Sequence, residues 1–276
     1  MKSLPPDFYY IPNFITPEEE ASILGKVRGH ACRNVDGHLK IPSNITQCFL
    51  CLELANIRQI PAQRWVTLSH RRLQAHPSTL LKGHTLLASP LPEWLIKPII
   101  ERFQLLSIFE DTPHHAPNHV LINEYNRGEG IMPHEDGATY ASVVATVSLG
   151  ASICLKITKK PDGVDEQSEQ PPAESGVPNG GRDPYAVPTR ILQEPRSLLI
   201  TTGAAYKELL HGIEDIEVDK DLNADTIANW TLLANASSFE EAGGRNERGT
   251  RISLTYRDVL KVSTVANKVF GGLGRR

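Results

Sequence analysis

The sequence predicts a mainly β protein with flanking helices, an α+β chain whose second half forms an antiparallel sandwich or barrel. Two observations carry this prediction. Helical signals are confined to the first 109 residues, whereas from residue 119 the chain breaks into short β-branched or alternating runs separated by turn residues. Its 276 residues, 40% of them apolar, are enough to bury a core without covalent staples.

The first helix is expected in "TPEEEASILGKVRG". Thr16 can cap it, Pro17 suits the first helical position, Glu19 completes a capping box, and Ile23, Leu24 and Val27 form an apolar stripe. A second helical segment spans residues 92–106, with Leu95, Ile99, Ile100 and Phe103 at helical spacing and Pro98 placed to kink it. Strands follow in "HVLINEY", "ASVVATVSLG", "SICLKIT", "RSLLITT", "NWTLLANAS" and "TRISLTYRDV". Residues 159–188 are polar, hold six prolines and have almost nothing to bury, so they read as a mobile surface insertion between two strands. Residues 1–109 are expected to form an N-terminal extension with scaffold helices and a lid. Residues 110–276 would form the β core.

Composition excludes several classes. Cys32, Cys48, Cys51 and Cys154 are too few and too irregular for a disulfide framework, and the lone Cys48-x-x-Cys51 lacks the partners of a zinc site. The N-terminus has prolines and charges where a signal peptide needs an apolar core, and no run reaches the roughly 18 apolar residues of a membrane span. No membrane partner is expected, and localisation in cytoplasm and nucleus follows. A net charge of −3 gives no global argument for a polyanionic partner, so any such argument must be local.

The chemistry centres on "MPHEDGATY". Residues i and i+2 of an extended strand share one side, so His134 and Asp136 can converge on one ion. His211, just beyond "RSLLITT" and before a glycine that permits a sharp turn, is the candidate third ligand. Two histidines and a carboxylate leave three positions open, the facial arrangement of a non-haem Fe(II) oxygenase. Alone, this spacing also fits a capped histidine and a turn histidine. The end of the chain adds to it, because "RISLTYR" places Arg251, Ser253, Thr255 and Arg257 on one strand face and Ile252, Leu254 and Tyr256 on the other. Two arginines facing into a barrel call for an anion, and a small dicarboxylate fits them.

"NEY", "PHEDG", the later "HGI" and "RISLTYR" together resemble the AlkB family of Fe(II)- and 2-oxoglutarate-dependent dioxygenases, over residues 110–260. "RRLQ", "LPEWL", "GEGIMPHEDG" and "LLHGI" are similar to its eukaryotic homologue-six branch. The resemblance implies a double-stranded β-helix, or jelly roll, with an N-terminal nucleotide lid. It assigns His134, Asp136 and His211 to iron and catalysis. It assigns Asn123, Tyr125, Arg251 and Arg257 to 2-oxoglutarate, with Ser253 on the same face among these contacts. Arg251 and Tyr125 would hold the distal carboxylate, with Arg257 beside the metal-bound end. With Fe(II), 2-oxoglutarate and O2, such an enzyme oxidises N-methyl groups and releases formaldehyde, succinate and carbon dioxide. Some 75 residues separate Asp136 from His211, more than in compact members, and the insertion accounts for the excess.

Between Glu53 and Glu93 no acidic residue occurs, while Arg58, Arg64, Arg71, Arg72 and Lys82 stand among Trp65 and three histidines. Such a segment suits phosphates and an unstacked base, so Arg71, Arg72 and the pocket candidate Tyr140 are read as contacts to single-stranded or flipped-base nucleic acid. Two alternatives stay open: oxidation of a protein side chain at the same iron site, and a non-catalytic nucleic-acid-binding adaptor.

Overall fold

The structure is a computed structural model, described for residues 3–28, 65–78, 80–81, 84–160 and 187–263. The strands in chain order are β1 (Phe8–Ile11), β2 (Val66–Leu68), β3 (Arg71–His76), β4 (Leu80–Leu81), β5 (Thr85–Leu87), β6 (His119–Tyr125), β7 (Ile131–His134) and β8 (Tyr140–Leu149). They continue with β9 (Ile153–Lys159), β10 (Thr189–Gln193), β11 (Leu198–Thr202), β12 (Leu209–Ile213), β13 (Val218–Asp219), β14 (Asn246–Glu247), β15 (Arg251–Val259) and β16 (Lys261–Ser263). The helices are α1 (Pro17–Val27), α2 (Glu93–Ile96), α3 (Ile99–Leu105), α4 (Gly203–Glu208) and α5 (Ala236–Glu241).

Two antiparallel sheets face each other as a jelly roll. The major sheet has the order β1-β11-β8-β15-β6-β3-β2 and the minor sheet β10-β9-β12-β7. Two further small sheets pair β13 with β14 and β16 with β5 and β4. Three strands of the major sheet, β1, β2 and β3, come from the first 109 residues. The segment "FYYI" was not expected as a strand, yet it pairs with β11 along its length. Its alternation sends Phe8 and Tyr10 inward, where they join Leu199, Ile153, Leu155, Ile157, Ile191 and Ile213 in the core between the sheets.

The other face of the major sheet is covered by helices. Val120, Ile122, Ala145, Val147, Leu149, Leu198, Ile252, Leu254 and Tyr256 pack against Ile23 and Val27 of α1 and Leu95, Ile99 and Phe103 of α2 and α3. α1 starts as its sequence predicts: Glu19 N–H donates to Thr16 Oγ1 at 3.2 Å, and Thr16 N–H donates to Glu19 Oε2 at 2.8 Å. Arg102 on α3 donates twice to Glu19, at 2.8 Å each, tying the helices together. Pro98 interrupts the expected 92–106 helix outright, leaving α2 and α3 as separate short pieces.

One expected strand is absent. "NWTLLANAS" forms a 3-10 turn at Trp230–Leu232 and the start of α5. The Asn229 side chain donates to Leu192 O at 2.8 Å and accepts from Leu192 N–H at 2.9 Å, satisfying β10 as a strand would. Trp230 and Phe239 then cover the outer face of the minor sheet at Cys154 and Leu192. Tertiary packing overrides the alternation here. Most of the expected 159–188 insertion, the Cys48/Cys51 pair, and Arg58, Arg64 and Lys82 lie outside the described residues; β9 runs up to the insertion and β10 begins after it.

Candidate active site

The site lies between the two sheets. His134 ends β7, and Asp136 follows in a turn in which Gly137 adopts φ 87°, a conformation that favours glycine. His211 sits on β12, which follows β11 and α4, and stands directly opposite His134 in the β12–β7 ladder. Gly212 has a different task from the predicted turn. A Cβ there would meet Pro133 N at 2.9 Å and Pro133 Cα at 3.0 Å, so glycine lets β7 approach closely enough for the histidines to meet. The imidazole centroids are 4.4 Å apart.

The donors suit a divalent cation. His134 Nδ1 lies 2.9 Å from Met132 O, which fixes the proton on that nitrogen and turns Nε2 to the site. Burial pushes the His211 imidazole down to about 4, opposed by the Asp136 carboxylate and reinforced by His134 and Arg257, so the ring is neutral. Asp136 Oδ2 lies 4.0 Å from His211 Nε2, while Oδ1 accepts from Arg257 Nη2. Two donors at adjacent positions of an octahedral ion stand about 3 Å apart, for bonds of about 2.1 Å. Among the described residues no three side chains enclose an ion at ligand distance, and Asp136 Oδ2 and His211 Nε2 stand about 1 Å farther apart than adjacent ligands would. Tyr206, on α4, donates its hydroxyl to Gly137 O at 2.7 Å and lines a small cavity with Asp136, His211 and Phe8. Burial and the nearby Asp136 carboxylate raise its pKa, so the phenol stays protonated as the donor that holds the turn.

The inward face of β15 carries Arg251, Ser253, Thr255 and Arg257, as its alternation predicts, and it is flanked by β6 and β8. Tyr125 stands opposite Arg251 and Asn123 opposite Ser253. Arg251 is 3% exposed, donates from Nε to Ser148 Oγ at 2.8 Å and from Nη2 to Gln193 Oε1, and its guanidinium lies 5.8 Å from the Tyr125 ring centroid. Among the described residues its hydrogen-bond partners are all neutral. Burial pulls its pKa down to about 10, with Tyr125 opposing and Arg248 adding to the fall. A buried cation held only by neutral acceptors is a receptor for an anion, and a carboxylate fits its fork. Arg257 is 8% exposed, lies 4.7 Å over the Tyr140 ring and grips Asp136.

The two arginines expected on a lid separate. Arg71 points inward and donates from Nε to Asn123 Oδ1 at 3.3 Å. Arg72 lies on the helix-covered side, where it donates to Glu124 at 2.6 and 2.9 Å and stacks 4.4 Å from the Trp65 centroid. The two were expected to work together, but strand alternation puts them on opposite faces. Ser148, Gln193 and Tyr206 were not anticipated. Only the inward alternation of β8 marks Ser148, and nothing in the local pattern marks the other two.

The profile of the 2OG-Fe(II) oxygenase superfamily matches residues 7–257. The chain is 32% identical over 262 residues to the probable RNA/DNA demethylase ALKBH6 of Danio rerio, covering 95% of this chain and 89% of that protein. It is 27% identical over 146 residues to the tRNA (carboxymethyluridine(34)-5-O)-methyltransferase alkbh8 of Xenopus tropicalis, covering 52% of this chain and 19% of that protein. Among solved structures, OsALKBH1 is similar over 93% of this chain and 100% of its own, with a TM-score of 0.44 and 16% identity. With nearly its whole length matched, the chain belongs to the 2-oxoglutarate- and Fe(II)-dependent oxygenase superfamily, as an AlkB-type oxidoreductase that uses Fe(II), 2-oxoglutarate and O2.

Proposed function

We propose that the protein oxidatively demethylates N-alkylated bases in single-stranded or flipped-base nucleic acid. The observation that carries this reading is the 95% coverage of the chain by its match to a probable RNA/DNA demethylase. In this reading His134, Asp136 and His211 hold the iron, and Arg251 receives the distal carboxylate of 2-oxoglutarate. Tyr125, Asn123 and Ser253 line the same cosubstrate channel, while Arg257 serves its metal-bound end. The bound iron, cosubstrate and dioxygen supply the oxidising power that hydroxylates the methyl C–H bond. The chain's own residues bind, orient and exclude water. Arg251 fixes the cosubstrate's direction, Tyr206 holds the His134–Gly137 turn, and Phe8, Leu209 and Ala205 line the small cavity beside Asp136 and His211. A carbinolamine product would then release formaldehyde without further help from the protein.

Arg71 is retained as a substrate contact because it stands at the inner edge of β3 and reaches Asn123. Arg72 is not, because Glu124 and Trp65 engage it on the opposite face. Tyr140, beneath Arg257, is the proposed wall of the base pocket. The test is iron-dependent conversion of 2-oxoglutarate to succinate with a panel of methylated single-stranded DNA and RNA, using His134→Ala as the blank. One oligonucleotide should stimulate succinate and formaldehyde together, and the blank should lose essentially all turnover. Turnover that depends on His134 but responds to no oligonucleotide would overturn the nucleic-acid reading and leave the oxygenase.

A further inference from the structure

His119 opens β6 on its inward face, directly opposite Arg257 in the β6–β15 ladder. It is 2% exposed, and neither ring nitrogen has a protein partner among the described residues. Arg257 Nε is likewise buried without one. Tyr140 touches both, 6.1 Å from the His119 centroid and 4.7 Å from the Arg257 guanidinium. Facing side chains on paired strands stand about 5 Å apart at Cβ, so these unmatched groups share one space. Buried polar groups are rarely left unmatched, and a cluster of them marks a specific bridge.

We infer that His119 is a positioning residue: one buried water accepts from Arg257 Nε–H and donates to an imidazole nitrogen of His119, holding Arg257 on Asp136. The consequence falls on the carboxylate. With Arg257 Nη2 occupying Asp136 Oδ1, Oδ2 is the oxygen left facing His211 Nε2. His119 thereby sets which way Asp136 presents itself to the two histidines, although it touches none of the three. Neutral imidazole suits the task because it keeps an acceptor nitrogen, and burial holds His119 neutral by pushing its pKa down to about 4. The inference rests on the assignment of His134, Asp136 and His211 as the metal site.

The experiment titrates Co(II) into the metal-free full-length protein and reads the visible d–d absorption, without turnover. His119→Phe keeps a ring and removes both nitrogens; His119→Gln keeps an acceptor. H119F should weaken Co(II) binding about tenfold, the lower end for residues that orient metal ligands, and H119Q should stay within about threefold of the wild type. In an Arg257→Met background, H119F should add nothing. Wild-type affinity in H119F overturns the inference, and so does an H119Q as weak as H119F, which would make shape the cause. Failure of the wild type itself to bind Co(II), or equal binding by His134→Ala, would instead overturn the metal site and the inference with it. Should H119F not fold, 15N NMR of the metal-free wild type decides. A neutral His119 whose unprotonated nitrogen carries the shift of a hydrogen-bond acceptor supports the bridge, and the shift of a bare nitrogen contradicts it.

Discussion

β15 presents two opposite solutions to burial on one nine-residue strand. Its outward residues Ile252, Leu254 and Tyr256 are fully buried against α2 and α3, and the Tyr256 hydroxyl donates to Leu95 O at 2.9 Å. Its inward residues Arg251 and Arg257 are also buried, but among the described residues Arg251 meets only neutral acceptors and Arg257 Nε meets no protein group. The outer face is closed chemically, whereas the inner face is left with charge to spend. Binding chemistry is concentrated where the fold buries a group and withholds its partner.

That difference can be broken or sharpened by substitution. Leu254→Ala removes a fully buried side chain from the closed face and should cost about 4 kcal/mol of stability, measured by urea unfolding. Below the unfolding transition it should leave 2-oxoglutarate affinity unchanged; a large loss of affinity in folded protein would show that the faces are not separable.

Acid should act on both faces at once. His76, packed edge-on against Trp94 at 5.7 Å, and inward-facing His119 both have pKa values pushed down to about 4 by burial. The unfolded chain therefore binds more protons than the folded one as pH falls below about 6.5, and stability is lost from there down to about 4. Each histidine should account for roughly 2–3 kcal/mol of that loss. Urea midpoints of metal-free protein should fall steadily across this window, and His76→Leu should flatten the slope by about a third, because His211 is pushed down to about 4 as well. A slope unchanged in His76→Leu would show that its burial has no such consequence.

The smallest effect is expected at Arg72. Glu124 is buried and would lose its ion partner in Arg72→Met, but the arginine is 40% exposed, so solvent screening limits the cost to about 1–2 kcal/mol. Oligonucleotide-stimulated turnover should not change, while Arg71→Met should reduce it. Equal losses from both substitutions would contradict the separation of the two residues by strand alternation.

Much of the site was legible because its signals are local. Strand alternation alone sorted Arg251 and Arg257 from Ile252 and Leu254, and the His134–Asp136 spacing marked the turn after β7. What escaped was register and partnership between distant segments. Nothing in "RRLQ" says which arginine faces Asn123, because that depends on how β3 meets β6, 52 residues away. Gln193 and Ser148 hold Arg251 from strands far apart in sequence. "NWTLLANAS" alternates like a strand but is claimed by Leu192 through Asn229. "FYYI" is too short to be recognised without β11 beside it.

In the proposed reading the inner face of β15 is a carboxylate receptor built around Arg251. Calorimetric titration of 2-oxoglutarate into Mn(II)-loaded protein, wild type against Arg251→Met, tests it most directly. A lost charge-assisted bidentate contact of about 3 kcal/mol predicts affinity weakened roughly a hundredfold. The variant should be at least as stable as the wild type, since a buried cation without a counter-anion is removed. Wild-type affinity in a folded Arg251→Met protein would contradict the account.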